Sequence, residues 1–250
     1  MSSPVRYRAV VAYVGTRFHG WQRQRNAPRT VQAVLEAALR PLAHAAAVVE
    51  GASRTDAGVH ADGQVVHFEL ARRREPRVVR DAWNDRLPDD VRVLAVDEAA
   101  PDFHARYDAA SKVYTYRWSR AAVIPPRLAP FVAPLSPRAE AGRLREAAAG
   151  LSGRRDFRVF SVSVPPGEPT VRRLDEVTIG EDGDELSAVF HGEGFLRGMV
   201  RSICGVLADA ARGRVPVDRA ERLLQTGDRR LLSVKAPARG LTLTRVSYDG

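Results

Sequence analysis

Val5, Tyr7, Ala9, Val11 and Tyr13 share one side of a segment whose other side begins with Arg6 and Arg8, a period of two that predicts a strand with one face in a core. A turn follows at Gly15 and Gly20. Thr30 then heads a run in which Val31, Leu35, Leu39 and Leu42 recur at helical spacing, so the threonine is placed to cap a helix. Residues 64–70 alternate again as a strand, 79–87 suggest a short helix stopped by Pro88, and 91–96 a further strand. The pattern restarts at 112–119, a strongly β-prone run. Helices are expected over 139–151, 196–211 and 217–224, and strands over 185–191 and 241–248. Five prolines in 119–137 and three in 162–175 predict loops there. The repetition predicts an α+β fold of two similar subdomains built on antiparallel sheets flanked by helices, divided into 1–106 and 107–250.

The 250-residue chain carries a formal charge of +9, and its isoelectric point near 10.5 points to a polyanionic partner, most simply nucleic acid. Of its 39 basic residues only Lys112 and Lys235 are lysine. Together with the alanine richness, that is the composition a GC-rich genome gives any protein, so the net charge is the better signal. No run approaches the roughly 18 apolar residues that a membrane span needs, and the N-terminus lacks the layout of a secretory signal, so a cytoplasmic location is expected. The single cysteine, Cys204, excludes an internal disulfide and sits in an apolar helical pattern as a packing residue.

Cofactor signatures fail one by one. Gly192–Gly198 has Arg197 where a dinucleotide loop needs glycine, and Gly51–Thr55 has Thr55 where a nucleophile elbow needs one. There is no phosphate-cradling GxxxxGK[ST] loop and no HExxH, and His60 with Asp62 forms only a lone HxD pair. Neither a metal nor a cofactor is expected.

One short loop, Ala52-Ser53-Arg54-Thr55-Asp56-Ala57-Gly58-Val59-His60-Ala61, gathers arginine, aspartate, small residues and glycine ahead of a strand. Such a loop can bring its backbone close to a ligand. In extended backbone Arg54 and Asp56 point the same way, and a guanidinium near a carboxylate keeps it ionised, as a nucleophile requires. The same residues also suit a plainer arrangement in which Asp56 caps a turn and Arg54 is solvated.

That loop resembles the signature loop of the tRNA pseudouridine synthase A family, and the likeness extends along nearly the whole chain. Tyr13 with Gly15-Thr16-Arg17-Phe18-His19-Gly20-Trp21-Gln22-Arg23-Gln24 resembles the family's opening motif. Residues 64–68, Asn84 with Leu87-Pro88, and Phe103-His104-Ala105-Arg106 follow in the family's order, as do Lys112 with Tyr114 and Tyr116, Phe195 with Met199-Val200-Arg201, and Ala236-Pro237 with Gly240-Leu241. Val14, Arg158, Val159 and the loop 167–170 depart from the pattern.

The resemblance implies isomerisation of uridine to pseudouridine without a cofactor, at positions thirty-eight to forty in the anticodon stem-loop of tRNA, by a cytoplasmic homodimer. It makes Asp56 the catalytic carboxylate, Arg54 a residue that helps hold a flipped nucleotide, Tyr114 a residue that packs on the target base, and Arg201 a partner of Asp56, all in a cleft between the two halves. Tyr116 and Trp118, on the same strand face as Tyr114, read as core aromatics. On the helical wheel Arg201 points away from the stripe of Leu196, Met199, Val200, Ile203, Leu207 and Ala210. It lies beside Gly198, Ser202 and Gly205, a small-residue side that a second backbone or a ligand can approach. Two alternatives remain at this point: a protein that binds RNA without altering it, and an enzyme that hydrolyses or exchanges a base.

Overall fold

The computed structural model describes residues 4–27, 29–43 and 47–249. In chain order the elements are β1 (Val5–Tyr13), α1 (Val31–Ala43), β2 (Glu50–Gly51), β3 (His60–Leu70), α2 (Pro76–Asn84), β4 (Val91–Glu98), β5 (Ala109–Ser119), β6 (Ala133–Pro134), α3 (Ala141–Ala149), β7 (Gly153–Asp156), β8 (Val171–Asp182), β9 (Glu185–Gly192), α4 (Met199–Ala211), α5 (Arg219–Thr226) and β10 (Leu241–Tyr248). The α+β class expected from the sequence is the class of the protein. Backbone proximity divides the chain into Met1–Ala110 with Leu243–Gly250, and Ser111–Thr242. A division at residue 107 leaves the last eight residues with the second half; in the structure they cluster with the first, because β10 lies beside β3.

In the first unit the strand order is β4-β1-β3-β10, and β1 runs antiparallel to both β3 and β4. The alternation that opened the chain is realised: Tyr7, Ala9, Val11 and Tyr13 are buried and Arg8 is exposed. Tyr7 faces its register partner Phe68 in a stacked pair, and Phe68 meets the Trp83 ring edge-on at 4.9 Å. Trp83 comes from α2 and donates its indole N–H to the carbonyl of Leu35 on α1, so one buried aromatic joins both helices to the sheet. The caps follow local chemistry. The Thr30 hydroxyl accepts from the Ala33 amide at the start of α1, as expected, and the Glu75 carboxylate accepts from the amides of Arg77 and Val78 ahead of α2.

In the second unit the order is β5-β9-β8-β7, antiparallel throughout, with β6 added parallel to β5. Tyr114, Tyr116 and Trp118 are buried and oppose Phe190, Ala188 and Leu186 across the β5–β9 ladder, while α3 packs against β8 and α4. Strands β7 and β8 are not predicted by the sequence pattern, and β8 begins at Val171, inside the stretch expected to be a loop to residue 175. Val171–Asp182 carries charges on both faces and a bulge between Leu174 and Glu176, so its period of two is hidden, and its pairing with β9 supplies the register. Among the described residues no helix is long and apolar enough to cross a membrane.

Phe68→Ala removes the ring shared by Tyr7 and Trp83, and it is expected to cost about 3–5 kcal/mol of unfolding free energy, read as a lower midpoint in urea.

Candidate active site

Residues 53–56 form neither helix nor turn, and exposure alternates along them: Arg54 is exposed, Thr55 buried and Asp56 half-buried. The inward residue anchors the loop, since the Thr55 hydroxyl and the Tyr13 phenol share a hydrogen bond of 2.8 Å. Its carbonyl accepts the Trp21 amide at 3.0 Å. On one flank, Gln64 is fully buried on β3, donating from Nε2 to the Ser53 carbonyl and accepting the Ser53 amide on Oε1. On the other, the Val59 amide closes a turn onto the Asp56 carbonyl, Gly58 occupies left-handed backbone at φ 79°, and its amide donates to the Phe18 carbonyl. The loop is therefore held from both sides of the residue that presents the carboxylate.

The segment that holds it is itself built for close approach. A Cβ on Gly15 would lie 1.9 Å from the Val59 carbonyl oxygen, and one on Gly20, which has φ +88°, would lie 2.8 Å from the Thr55 carbonyl oxygen. The buried His60 ring accepts the Gly15 amide on Nδ1. The outer end of this segment is fastened to Asp90, whose carboxylate receives both terminal nitrogens of Arg29 and lies 3.2 Å from Arg17. Burial would raise the Asp90 carboxyl, but the Arg29 hydrogen bonds and charge outweigh it and hold it below its ordinary value. Arg29 also lies over the Phe18 ring at 4.2 Å.

The sequence reading gave no role to His60, Gln64 or Thr55. The signal was there for two of them: a histidine and a glutamine in a segment that is otherwise core must each spend their polar atoms on a specific partner.

In the second unit Tyr114 is buried on β5 and meets the Phe195 ring edge-on at 5.0 Å. Tyr116 and Trp118 are core residues, as expected. Arg201, in the first turn of α4, is half-buried, and its Nε donates to the Ala236 carbonyl at 2.9 Å. The small-residue side of α4 is occupied by another stretch of backbone. A Cβ on Gly205 would fall 2.2 Å from the Val234 carbonyl oxygen, and one on Gly198 would fall 2.4 Å from the Val162 side chain. Cys204 is fully buried in the same helix, and burial pushes its thiol well above the ordinary value, which fits packing rather than chemistry.

A family model described as tRNA pseudouridine synthase matches residues 9–108 and 147–249. The chain belongs to this tRNA pseudouridine synthase family. Curated relatives agree: the tRNA pseudouridine synthase A of Streptococcus mutans is 37% identical over 98% of this chain and 99% of its own length. That of Limosilactobacillus fermentum is 41% identical over 98% and 96%, and that of Methylobacterium nodulans 39% identical over 97% and 96%.

Whether this synthase also offers a metal site can be judged from its donor groups. Among the described residues Glu50, His67 and His104 bring ligand-type atoms within 4.8 Å of one another. Nδ1 of His67 accepts the Ala105 amide, and Nδ1 of His104 accepts the amides of Arg106 and Tyr107. In a neutral imidazole the proton then sits on Nε2, where His104 faces Glu50 at 3.4 Å. A metal-bound histidine needs the reverse, a bare nitrogen toward the ion and an N–H directed at an acceptor. The cluster is suited to fastening the 103–107 segment to β3 and does not suit an ion.

Two outcomes are expected. Gly20→Ala forces a side chain into left-handed backbone against Thr55, and it should lower stability by about 1–3 kcal/mol while cutting pseudouridine formation at least tenfold. Urea unfolding and a tritium-release assay on uridine-labelled tRNA check the two halves. Burial, aided by the charge of His104, holds the His67 imidazole below its ordinary 6.5. The folded protein thus binds fewer protons at this residue than the unfolded chain. The stability it contributes is complete above about pH 6.5, falls as pH drops toward the lowered folded value, and levels off below it. His67→Gln should remove this part of the slope in urea midpoints measured from pH 7.5 to 5.

Proposed function

We propose that this chain isomerises uridine to pseudouridine in the anticodon arm of tRNA, with the Asp56 carboxylate starting the reaction. The observation that carries the reading is the Asp56 loop, fixed by Tyr13, Phe18, Trp21 and Gln64 while its carboxylate stays half-buried at the surface of the unit. A side chain that only capped a turn would not need its neighbours locked on both sides, whereas a group that must meet one atom of a nucleotide does.

The reaction is balanced within the substrate. The bond from ribose C1′ to ring N1 breaks, the base turns, C5 bonds to C1′, the proton on C5 departs, and N1 ends protonated. Asp56 supplies the negative charge that cleavage requires. Arg54, exposed two residues earlier on the same side of the loop, holds the backbone of the flipped nucleotide. Tyr114, stiffened by Phe195, packs on the base, and Arg201 takes the role of partner to Asp56 that the family resemblance assigns it. Taking a base from its stack costs a few kcal/mol, which these contacts offset. The +9 charge draws the phosphate backbone to the protein. A homodimer in the cytoplasm, needing neither metal nor cofactor, completes the reading.

The test is a digest of unmodified tRNA transcript incubated with the purified protein. Pseudouridine should appear in the anticodon arm with no free uracil and no abasic site. Asp56→Asn should bind the tRNA with unchanged affinity and lose about a thousandfold or more in rate. Free uracil would make the enzyme a hydrolase, tRNA bound but left unaltered by the wild type would make it a binder, and a full rate in the Asp56→Asn protein would remove the carboxylate from the reaction.

A further inference from the structure

We infer that Tyr116 is a positioning residue for the reaction, acting through the Pro237 carbonyl on the backbone strap that aims the Arg201 guanidinium. The inference rests on the role proposed above for Arg201, and its geometry lies wholly within the second unit.

Tyr116 is fully buried and packs on Trp118 at 4.6 Å, so its ring needs no hydroxyl to be a good core residue. The hydroxyl nonetheless donates to the Pro237 carbonyl at 2.8 Å. Proline has no amide hydrogen, so the carbonyl is the only backbone hydrogen-bonding group Pro237 has. The adjacent carbonyl, of Ala236, accepts from Arg201 Nε, and the Ala236 amide donates back to the Arg201 carbonyl at 3.0 Å. A third contact fixes the strap from the helix side, where glycine at 205 lets Val234 touch α4. Glycine at 240 makes room for the phenol, since a Cβ there would lie 2.7 Å from the Tyr116 ring.

These contacts have a direct consequence for Arg201. A guanidinium is planar, and tying Nε to a fixed carbonyl sets both its plane and the direction in which its two terminal nitrogens point. The strap is the reference for that direction, and Tyr116 is what holds the strap one residue beyond the arginine's own contact. The phenol cannot instead serve as a base. Its proton is committed to Pro237, and burial pushes its ionisation far upward.

Tyr116→Phe keeps the ring and removes only the hydroxyl. At saturating tRNA the single-turnover rate should fall between about ten- and a hundredfold, the effect of a misplacement on the order of 1 Å, while the dissociation constant for tRNA stays within about twofold. In an Arg201→Ala background, itself strongly impaired, the same change should cost nothing further. Gly205→Ala, which pushes the strap from the opposite side, should reproduce the rate loss at unchanged affinity, and it serves should the phenylalanine protein not fold. A wild-type rate for Tyr116→Phe, or an equal loss with and without Arg201, overturns the inference. An Arg201→Ala enzyme of full rate overturns it together with the role of the arginine. A wild-type protein that forms no pseudouridine sinks the functional reading itself.

Discussion

The loop that carries Asp56 depends on a buried primary amide. Gln64 has no exposed surface, and it meets the Ser53 backbone as a neighbouring strand would, donating to the carbonyl and accepting from the amide. Replacing it with an apolar residue would leave two backbone groups without partners inside the protein, at about 1–3 kcal/mol each. The rest of the first unit is arranged around the same requirement. The bulge that shifts the register between β1 and β3 lies between Val11 and Tyr13, next to the loop, and the aromatic sequence from Tyr13 to Trp21 closes its other side. The segment that does the closing is itself fixed by the Arg29–Asp90 pair, nearly out of contact with water at the acid.

The second unit solves a different problem with the same kind of part. Helix α4 is buried on nearly every side, which a solvated amphipathic helix is not. Gly205 lets a strap of irregular backbone lie against it, so Arg201 emerges from a crowded surface with one nitrogen already engaged. Here positional precision comes from backbone carbonyls. Those carbonyls are in turn fixed by a phenol and by the absence of side chains at 205 and 240.

Most of this was legible in the sequence where the information is local. The alternation at Tyr7 to Tyr13, the cap at Thr30, the apolar stripe of α4 and the core aromatics Tyr116 and Trp118 each rest on spacing within a dozen residues, and each is found in the structure. What was hidden is long-range. The charged strand β8 has no amphipathic period of its own, and β10 gives its pattern without naming its partner. The polar residues Thr55, His60 and Gln64 were visible, but their partners, 42, 45 and 11 residues away, were not. Gly205 correctly announced a close approach to α4, and only the folded chain identified Val234 as the visitor; Gly198, expected inside the helix, lies ahead of it as a left-handed N-cap.

The arginine at 201 also bears on the chain's unusual basic composition. Arginine replaces lysine almost throughout the chain, and at this position lysine would not be an equivalent. Its single nitrogen could grip the Ala236 carbonyl or extend toward a second group, but not both along fixed directions. The same holds at 29, where two nitrogens grip one carboxylate while the guanidinium plane covers Phe18. At these two sites the molecule exploits a fork rather than a charge, so a lineage drifting toward lysine elsewhere on the surface would still be held to arginine here.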